Sequence, residues 1–424
     1  MSHFHWIAGT ILALIWLSRA IDAALGVRTL ADISQPEWDR VPDVTRNRVA
    51  IVVPARNEEA AIKQALQQLL ALDYSNYQVI AVDDRSTDRT GEIMDEVASA
   101  SLDKLKVIHV RELPSGWMGK AHAMWAAANY ASGGTGSDAP HVSSSFAKVE
   151  NHRLPHVSPS LPDVGSRSKP DWLLFTDADV MFRKDALRRA IAYAEVERAD
   201  HLVVFPRIIM KRSSEKMMIA FFQLLFVFGH RPWKVADPKA KDHMGVGAFN
   251  LVRRSAYEAV GTYEALRFEV VDDMKIGKVI KNAGFRQRVA FGDDLIEIRW
   301  ARGARGVVNN LTKNFFAVMS FQTWRALLAC FGMIFLNILP FFSVLTAPGW
   351  SRIPYGVALA SMFFLYAGIW RQGEIHPWYF FLHPVSTTLF IYTMLRSTFL
   401  TLWNGGVEWR GTKYPLDELR RGLV

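Results

Sequence analysis

The sequence predicts an α/β fold, in which a mostly parallel sheet is covered by helices and is preceded and followed by membrane-spanning helices. Short apolar runs alternate with helix-like segments between residues 49 and 205, which is typical of a parallel sheet with helical crossovers. Residues 4–25 are nearly all apolar, and further apolar segments lie near 326–347, 353–370 and 380–403. Each of these four segments is long enough to cross a bilayer.

Composition narrows the class of partner. The chain of 424 residues has 50 Lys and Arg against 41 Asp and Glu, a basic balance that suits nucleic acid, an anionic membrane surface or an anionic substrate. No basic block with interleaved aromatic residues is present, so we expect no nucleic-acid partner. The single cysteine, Cys330, lies in an apolar run, and a disulfide within the chain is therefore excluded.

The N-terminal segment predicts an uncleaved anchor over residues 1–27. A signal peptide is the alternative, but no Lys or Arg precedes the apolar core and no clear cleavage site follows it. Arginines at positions 28, 40, 46 and 48 come next. The positive-inside bias then predicts that the following domain is cytoplasmic, in a multi-pass protein of the cell membrane.

The catalytic domain is predicted over residues 45–300. Its first half alternates strands at 49–53, 78–82 and 105–110 with helices at 58–72, 88–100 and 120–130. Residues 131–170 are rich in Ser, Pro and Gly and predict a flexible insertion. After it we expect strands at 172–175, 201–205 and 245–252, helices at 185–198 and 270–283, and a buried or interfacial helix at 217–229.

The last third of the sequence predicts membrane association. Residues 301–325 suit an interfacial amphipathic segment, 326–403 a C-terminal transmembrane region, and 404–424 a polar tail. Three crossings after a cytoplasmic domain would leave the tail outside. The tail nevertheless carries Arg410, Lys413, Arg420 and Arg421, which favour the inside. One apolar segment would then be re-entrant or interfacial, and the sequence leaves open which one.

The most informative stretch is Asp177-Ala178-Asp179, which follows a buried apolar strand. Alternate residues of an extended chain point to one side, so both carboxylates are expected at the C-terminal end of a strand, where open α/β sheets bind ligands. Paired carboxylates suit a hard cation such as Mg²⁺ or Mn²⁺. The alternative is a turn or helix cap before the helix that begins near Lys184.

Polar loops follow other predicted strands as well. They span 54–59, 83–88 and 117–120, and a further acidic set lies at 269–273. In a doubly wound sheet such loops converge on one crevice.

In this order, the segments resemble glycosyltransferase family 2, whose GT-A fold is Rossmann-like. Residues 53–58 (VPARNE) are similar to the family's Val-Pro-x-x-Asn-Glu opening, 83–90 (DDRSTDRT) to its Asp-Asp-x-Ser-x-Asp-x-Thr segment, and 177–179 to its Asp-x-Asp metal motif. Asp272-Asp273 resembles its acceptor-side Glu-Asp pair. The resemblance covers residues 49–320 well and the tail only in outline. With the anchor and apolar tail, it is greatest to the ceramide glucosyltransferase and hopanoid- or carotenoid-associated kinds.

This resemblance implies the roles of the site residues. Asp179, with Asp177, would hold Mg²⁺ or Mn²⁺ against the diphosphate of a nucleotide sugar, a UDP-sugar being favoured, and Asp83 or Asp84 would contact the base and ribose. The alternatives are a strand-ending turn for Asp83 and Asp84, helix capping for Asn57 and Glu58, and a surface position for Lys120. The implied donor-binding set is Pro54, Arg56, Asn57, Glu58, Asp83, Asp84, Lys120, Asp177 and Arg299.

The resemblance also implies direct displacement with inversion at the anomeric carbon. Asp273, with Asp272 as the second choice, is the expected general base for the acceptor hydroxyl; the alternative is that both only favour a helix N-terminus. Processive synthases of the family carry Gln-x-x-Arg-Trp, whereas residues 296–300 read IEIRW. Arg299 would touch the diphosphate or, equally, snorkel at the interface.

We therefore predict an inverting, metal-dependent glycosyltransferase that moves one sugar from a nucleotide donor to a lipid-type acceptor at the cytoplasmic membrane face. The alternatives are a processive polysaccharide synthase, which the missing Gln argues against, and a catalytically inactive membrane assembly subunit. A nucleotidyltransferase would want a glycine-rich phosphate loop, and residues 54–59 contain no glycine.

Overall fold

The computed structural model describes residues 2–39, 46–101, 103–133, 169–372 and 375–423. Most of the insertion predicted at 131–170 lies outside the described residues. The strands are β1 (Ala31–Asp32), β2 (Val49–Ala55), β3 (Tyr77–Asp84), β4 (Leu105–Val110), β5 (Trp172–Phe175), β6 (Val180–Phe182), β7 (His201–Phe205), β8 (Arg207–Ile208), β9 (Asn250–Arg253), β10 (Gln287–Phe291), β11 (Ile296–Ile298), β12 (Gly406–Trp409) and β13 (Thr412–Pro415).

Helices cover the sheet and form the two ends of the chain. They are α1 (Ser2–Gly26), α2 (Ile62–Leu70), α3 (Thr90–Ser99), α4 (Gly119–Ala131), α5 (Ala186–Val196), α6 (Ser213–Gly229), α7 (Arg254–Ala259), α8 (Asp272–Asn282), α9 (Gly303–Val318), α10 (Thr323–Met333), α11 (Leu339–Thr346), α12 (Ile353–Gln372), α13 (His383–Trp403) and α14 (Leu416–Arg421).

The central sheet has eight strands in the order β1-β10-β7-β9-β5-β2-β3-β4. Every neighbouring pair is parallel except those of β9, which runs antiparallel to β5 and β7. The prediction of a mostly parallel α/β sheet is confirmed. Because β2 pairs with both β3 and β5, the segments that follow these three strands meet at one edge.

The apolar composition of the strands explains why both faces of the sheet are covered. All four residues of β5 are buried, as are six of the seven residues of β2. In β2, Ile51 and Val53 pack in the core that contains α2, α3 and α5, whereas Ala50 and Val52 pack in the core that contains α4 and α8. Alternate residues of one strand thus serve opposite helical layers, as the two-residue repeat of a strand requires.

Three helical segments are long and apolar enough to cross a membrane, namely His3–Thr29, Thr323–Thr346 and Gly349–Ile369. In the described part of the chain, α13 is not among them, which differs from the expectation that residues 380–403 could also span. The reason lies in its side chains, since Arg396 interrupts it and its buried positions are largely hydroxyl residues. These are Ser386, Thr387, Thr393, Ser397, Thr398 and Thr401.

The apolar helices pack on one another through a polar contact in their core. A π-helical turn at Ile334–Ile338 joins α10 to α11. The Trp16 indole N–H of α1 donates to the carbonyl of Leu336 in this turn over 2.9 Å. Such turns leave carbonyl groups in need of partners, so this hydrogen bond ties the first helix to the C-terminal helices.

Candidate active site

Two loops at the carboxyl ends of β2 and β3 are joined by hydrogen bonds. The Asn57 side-chain carbonyl accepts from the Thr87 N–H over 2.8 Å, and the Glu58 N–H donates to the Thr90 hydroxyl over 2.8 Å. Asn57 has a φ of 56°, a left-handed conformation that Asn adopts more readily than most residues. This backbone conformation and the side-chain hydrogen bond together explain why Asn occupies this position. The hydrogen bonds of Asn57 and Glu58 join two loops, rather than only capping the helix that follows.

Asp83 and Asp84 have different surroundings although they are adjacent. Asp83 Oδ2 lies 3.1 Å from His109 Nδ1, and burial would raise its pKa, but hydrogen bonds from His109 and Ser86 outweigh burial and lower the pKa. Asp84 is 5% exposed and accepts from Arg85 Nε over 2.7 Å. Both carboxylates are therefore held in place at the end of β3.

Lys120, at the start of α4, lies between a carboxylate of the loop after β5 and a carboxylate at the start of α8. Its Nζ lies 2.7 Å from Asp177 Oδ1 and 3.9 Å from Asp272 Oδ1. Burial acts against the charged amine, but Asp177, Asp272 and Asp273 outweigh burial and raise its pKa. Burial likewise would raise the pKa of Asp177, and the Lys120 ammonium reverses this effect. Lys120 is an internal cation of this crevice, and its amine has an ion pair with the first carboxylate of the Asp-x-Asp sequence.

Asp179 differs from Asp177 in having an unfavourable electrostatic environment. Burial, then the charges of Asp177 and Glu58, raises its pKa to about 6. Three carboxylates are thus brought together by β2 and β5, and only one of them is paired with Lys120. The ionised form of Asp179 would be stabilised by additional positive charge at this point.

Asp272 and Asp273 begin α8 on the other side of Lys120. Asp272 is 4% exposed, and its Oδ2 has no hydrogen-bond partner among the described residues. Asp273 is half-buried, and its Oδ1 accepts from the Met274 N–H over 2.8 Å. Burial raises the pKa of both side chains, with Lys120 acting in the opposite direction. A carboxylate with a raised pKa beside a crevice has the property that a general base requires.

The loop before β9 supplies two glycines that sequence reasoning missed. A Cβ at Gly247 would come closer than 3.0 Å to Asp177 Oδ2, and a Cβ at Gly245 would meet the Asp273 carbonyl oxygen at similarly short range. The Asp177 N–H also donates to the Gly247 carbonyl over 3.0 Å. These contacts explain why β9 begins at Asn250 rather than at 245, since Gly245 and Gly247 pack against the two acids. The Gly-x-Gly spacing was the available signal.

Arg299 is paired outside this acidic cluster. Its Nη2 lies 3.7 Å from Glu215 Oε1, and Glu215 is fully buried and accepts from the Gly303 and Lys211 N–H groups. This arrangement links the end of β11 to the start of α6. Pro54 lies near the end of β2, where it pairs in register with Val82.

The C-terminal residues predicted as a polar tail form a hairpin, β12–β13, against the two joined loops. Arg410 at its turn binds the Glu58 carboxylate and the Arg56 carbonyl, and the Thr412 hydroxyl accepts from Arg56 Nη1 over 3.0 Å. The Tyr414 hydroxyl accepts from the Gly119 N–H over 3.1 Å. The sequence predicted only a charged, polar tail for this segment, and it did not predict that the tail contacts the site.

The carboxylate oxygens of Asp177 and Asp179 suit a divalent cation whose remaining ligands come from a substrate. Within the described ranges, no three His, Cys, Asp or Glu side chains are arranged to hold a metal ion. Mg²⁺ is commonly bound through one or two carboxylates together with substrate phosphates. Asp177 and Asp179 offer that number of oxygen ligands, and the raised pKa of Asp179 is consistent with a place for a cation.

Comparison with known proteins identifies the family. Residues 159–421, more than half of the chain, match glycosyl transferase family 21, and residues 50–134 match glycosyl transferase family 2. The chain belongs to glycosyl transferase family 21. It is a glycosyltransferase, and the predicted resemblance is confirmed, with the family 2 match confined to the first half of the sheet domain.

Relatives and a solved structure agree with this assignment. The chain is 21% identical over 378 residues to a 4,4'-diaponeurosporenoate glycosyltransferase of Staphylococcus aureus, covering 87% of this chain and 89% of the relative. It is also similar to the mannosyltransferase PcManGT of Pyrobaculum calidifontis, whose structure contains GDP-Man and Mn²⁺. That likeness has a TM-score of 0.52 and 18% identity, and it covers 95% of this chain and 99% of the other. It supports a GT-A fold for the sheet domain.

Proposed function

We propose that this family 21 member transfers a single sugar from a nucleotide-sugar donor to a hydroxyl of a lipid acceptor, with inversion and with the help of a divalent cation. The observation that carries the proposal is the Lys120 ammonium between Asp177 and Asp272, which joins a donor-side acid to an acceptor-side acid. A direct displacement requires both sides to be within reach of one anomeric carbon.

The donor would lie along the loops after β2, β3 and β5. Asp83 and Asp84 are fixed at the end of β3 and offer oxygens to the base and ribose, and Asn57 and Glu58 shape the neighbouring loop. Asp179 and Asp177 would hold Mg²⁺ or Mn²⁺, which would offset the charge that develops on the departing diphosphate. The Mn²⁺ and GDP-Man in the PcManGT structure support a donor of this class, and a UDP-sugar stays our expectation for the base.

The acceptor proton would be taken by Asp273. As the acceptor oxygen bonds to the anomeric carbon, the bond from that carbon to the diphosphate oxygen breaks, and the proton moves to the Asp273 carboxylate. Burial disfavours the charged form of Asp273 and so strengthens it as a base. Asp272 is more enclosed and would act on Asp273 and Lys120 through its charge.

Two observations support a lipid acceptor. The relatives are named for glycosylating diaponeurosporenoate, a lipid-like molecule, and helix α9 connects the acids to the C-terminal helices. Lys313 of α9 acts electrostatically on Asp177 and Asp272, while the Phe316 N–H of the same helix donates to the Ser397 hydroxyl of α13 over 3.0 Å. An acceptor hydroxyl could thus reach the acids while its apolar part stays among these helices.

The same helices favour one orientation in the membrane. If only the three candidate spans cross the membrane, the two C-terminal ones return the chain to the side on which the sheet domain lies. The hairpin contact with Arg56 and Glu58 requires that return. Because the segment after α1 and the tail are both rich in arginine, we place the sheet domain and the hairpin on the cytoplasmic side.

A donor screen tests the proposal. Purified full-length protein is incubated with Mn²⁺ or Mg²⁺, a native lipid extract and a panel of UDP- and GDP-sugars, and released nucleoside diphosphate is measured. We expect release with at least one donor and its loss in Asp179→Asn and Asp273→Asn, with Asp237→Asn, an exposed acid, as the control. Release with no donor, or undiminished release by both site variants, would contradict the proposal.

A further inference from the structure

Two of the cations that act on Asp177 come from the C-terminal part of the chain. Besides Lys120, the positive charges that act on Asp177 are those of Lys313 on α9 and Arg410 at the turn of the β12–β13 hairpin. The one arginine that the resemblance implied for the diphosphate, Arg299, is instead bound to buried Glu215. The crevice therefore has a positive side that is more than 130 residues away in sequence from its predicted donor loops.

The hairpin is fixed in a definite position against the crevice. Arg410 is bound by the Glu58 carboxylate and by the Arg56 carbonyl, and Tyr414 contacts the first N–H of α4, that of Gly119. Its Trp409 ring lies 4.2 Å from Lys313 Nζ, a cation–π contact that orients the lysine. Four elements, α4, α9, the β2 loop and the hairpin, thus surround one space.

The positive groups in this space repel one another. Burial, and next the charge of Lys120, lowers the pKa of Lys313, and Arg410 acts in the same direction. Burial lowers the pKa of Arg56, and the charges of Arg85 and Arg410 lower it further. Arg56 Nε is also buried without a hydrogen-bond partner among the described residues. The repulsion between these cations would be reduced if they bound an anion that carries several negative charges and several oxygen atoms.

We propose that Lys313, Arg410 and Arg56 form a diphosphate-binding wall, supplied by α9, the C-terminal hairpin and the β2 loop, opposite Asp177 and Asp179. This inference rests on the proposed function only for the identity of the anion as part of a nucleotide sugar. The ligand class is a diphosphate; the chemistry required is two linked phosphate groups contacted by a guanidinium and an ammonium. Without Arg410 of the hairpin the donor site is incomplete.

Inorganic pyrophosphate is the probe that tests the wall independently of catalysis. Its binding to purified full-length protein is measured by titration calorimetry with and without Mg²⁺. We expect Arg410→Ala and Lys313→Met each to weaken binding by about tenfold, because a hydrogen bond to a charged group is lost. Arg410→Lys should retain part of the affinity. Lys413→Ala, an exposed lysine of the same hairpin, should bind like the wild type.

Different outcomes separate this inference from the proposed function. If Arg410→Ala and Lys313→Met melt at the wild-type temperature and bind pyrophosphate as tightly as the wild type, the wall is wrong even where the donor screen succeeds. No pyrophosphate binding by the wild type also overturns it. If Arg410 served only to hold Glu58, Glu58→Gln would weaken pyrophosphate binding as much as Arg410→Ala, and the double variant would be no weaker; this result contradicts a direct contact. Failure of the donor screen with intact pyrophosphate binding contradicts only the proposed function.

Discussion

The contact between Gly247 and Asp177 allows a sharp steric prediction. Gly247→Ala places a Cβ within 3.0 Å of Asp177 Oδ2 and 3.1 Å from its Cγ, so the carboxylate must retreat. Its other oxygen is held by Lys120 at 2.7 Å, and rotation away would break that ion pair. A displacement of roughly 1 Å in an active-site group costs about 10²-fold in rate, whereas overpacking of this size costs about 1–3 kcal/mol in stability. We therefore expect a folded protein with about 1% of the wild-type activity.

The assay is nucleoside diphosphate release, with thermal melting of the same samples. Gly229→Ala is the matched control, because nothing lies within 4 Å of the added carbon there and its φ is not in the left-handed region. The control should retain full activity. A folded Gly247→Ala protein with activity within twofold of the wild type would refute the reasoning, since it would mean that the position of the Asp177 carboxylate does not matter to transfer.

Three further predictions follow from the charges and hydrogen bonds of the site. Activity should fall as the pH drops through about 6, because Asp179 then takes up a proton and no longer suits a cation; a pH profile that stays flat down to pH 5 would contradict this. Because a raised carboxyl pKa lowers folding stability as the pH rises from about 4 through 6, Asp179→Asn should raise the melting temperature at pH 8 and have little effect near pH 4, while abolishing activity; an equal shift at both pH values would exclude the charge as its cause. Tyr414→Phe leaves the Gly119 N–H without its acceptor and should lower the free energy of unfolding by about 1–3 kcal/mol, measured in urea against Tyr392→Phe on the exposed face of α13.

The parts of the fold that could be predicted from sequence are those whose residues are buried on both sides. Strands β2, β3 and β5 are continuous apolar runs, so their positions and the polar loops after them were predictable. Strand β10, with the sequence QRVAF, begins with polar residues, and β6, β8 and β11 have only two or three residues each. Two or three residues are too few to show a hydrophobic repeat. All four of these strands were therefore missed.

The residues of the candidate site also divide into those that the sequence could predict and those that it could not. Asp177 and Asp179 follow β5 directly and Lys120 begins the helix after β4, so the order of strands in the sheet determines where they meet. Gly247, Lys313 and Arg410 come from three segments whose places depend on tertiary packing; only Gly247 had a local signal, the Gly-x-Gly spacing, and no local pattern marks Lys313 or Arg410. Residues 404–424 looked like a charged tail, because the hydrogen bonds of a short hairpin with Arg56 and Gly119 join residues that are 356 and 295 positions apart in the sequence.

The central claim is that one sugar is moved to a lipid hydroxyl by the acids around Lys120. The most direct measurement uses the donor found in the screen, labelled in its sugar, with the native lipid extract and the purified protein, followed by extraction into organic solvent and mass analysis of the product. We predict label in a lipid that carries one added sugar, formed by the wild type and absent with Asp273→Asn. Label in a long water-soluble polymer, or product formed equally by Asp273→Asn, would contradict the account.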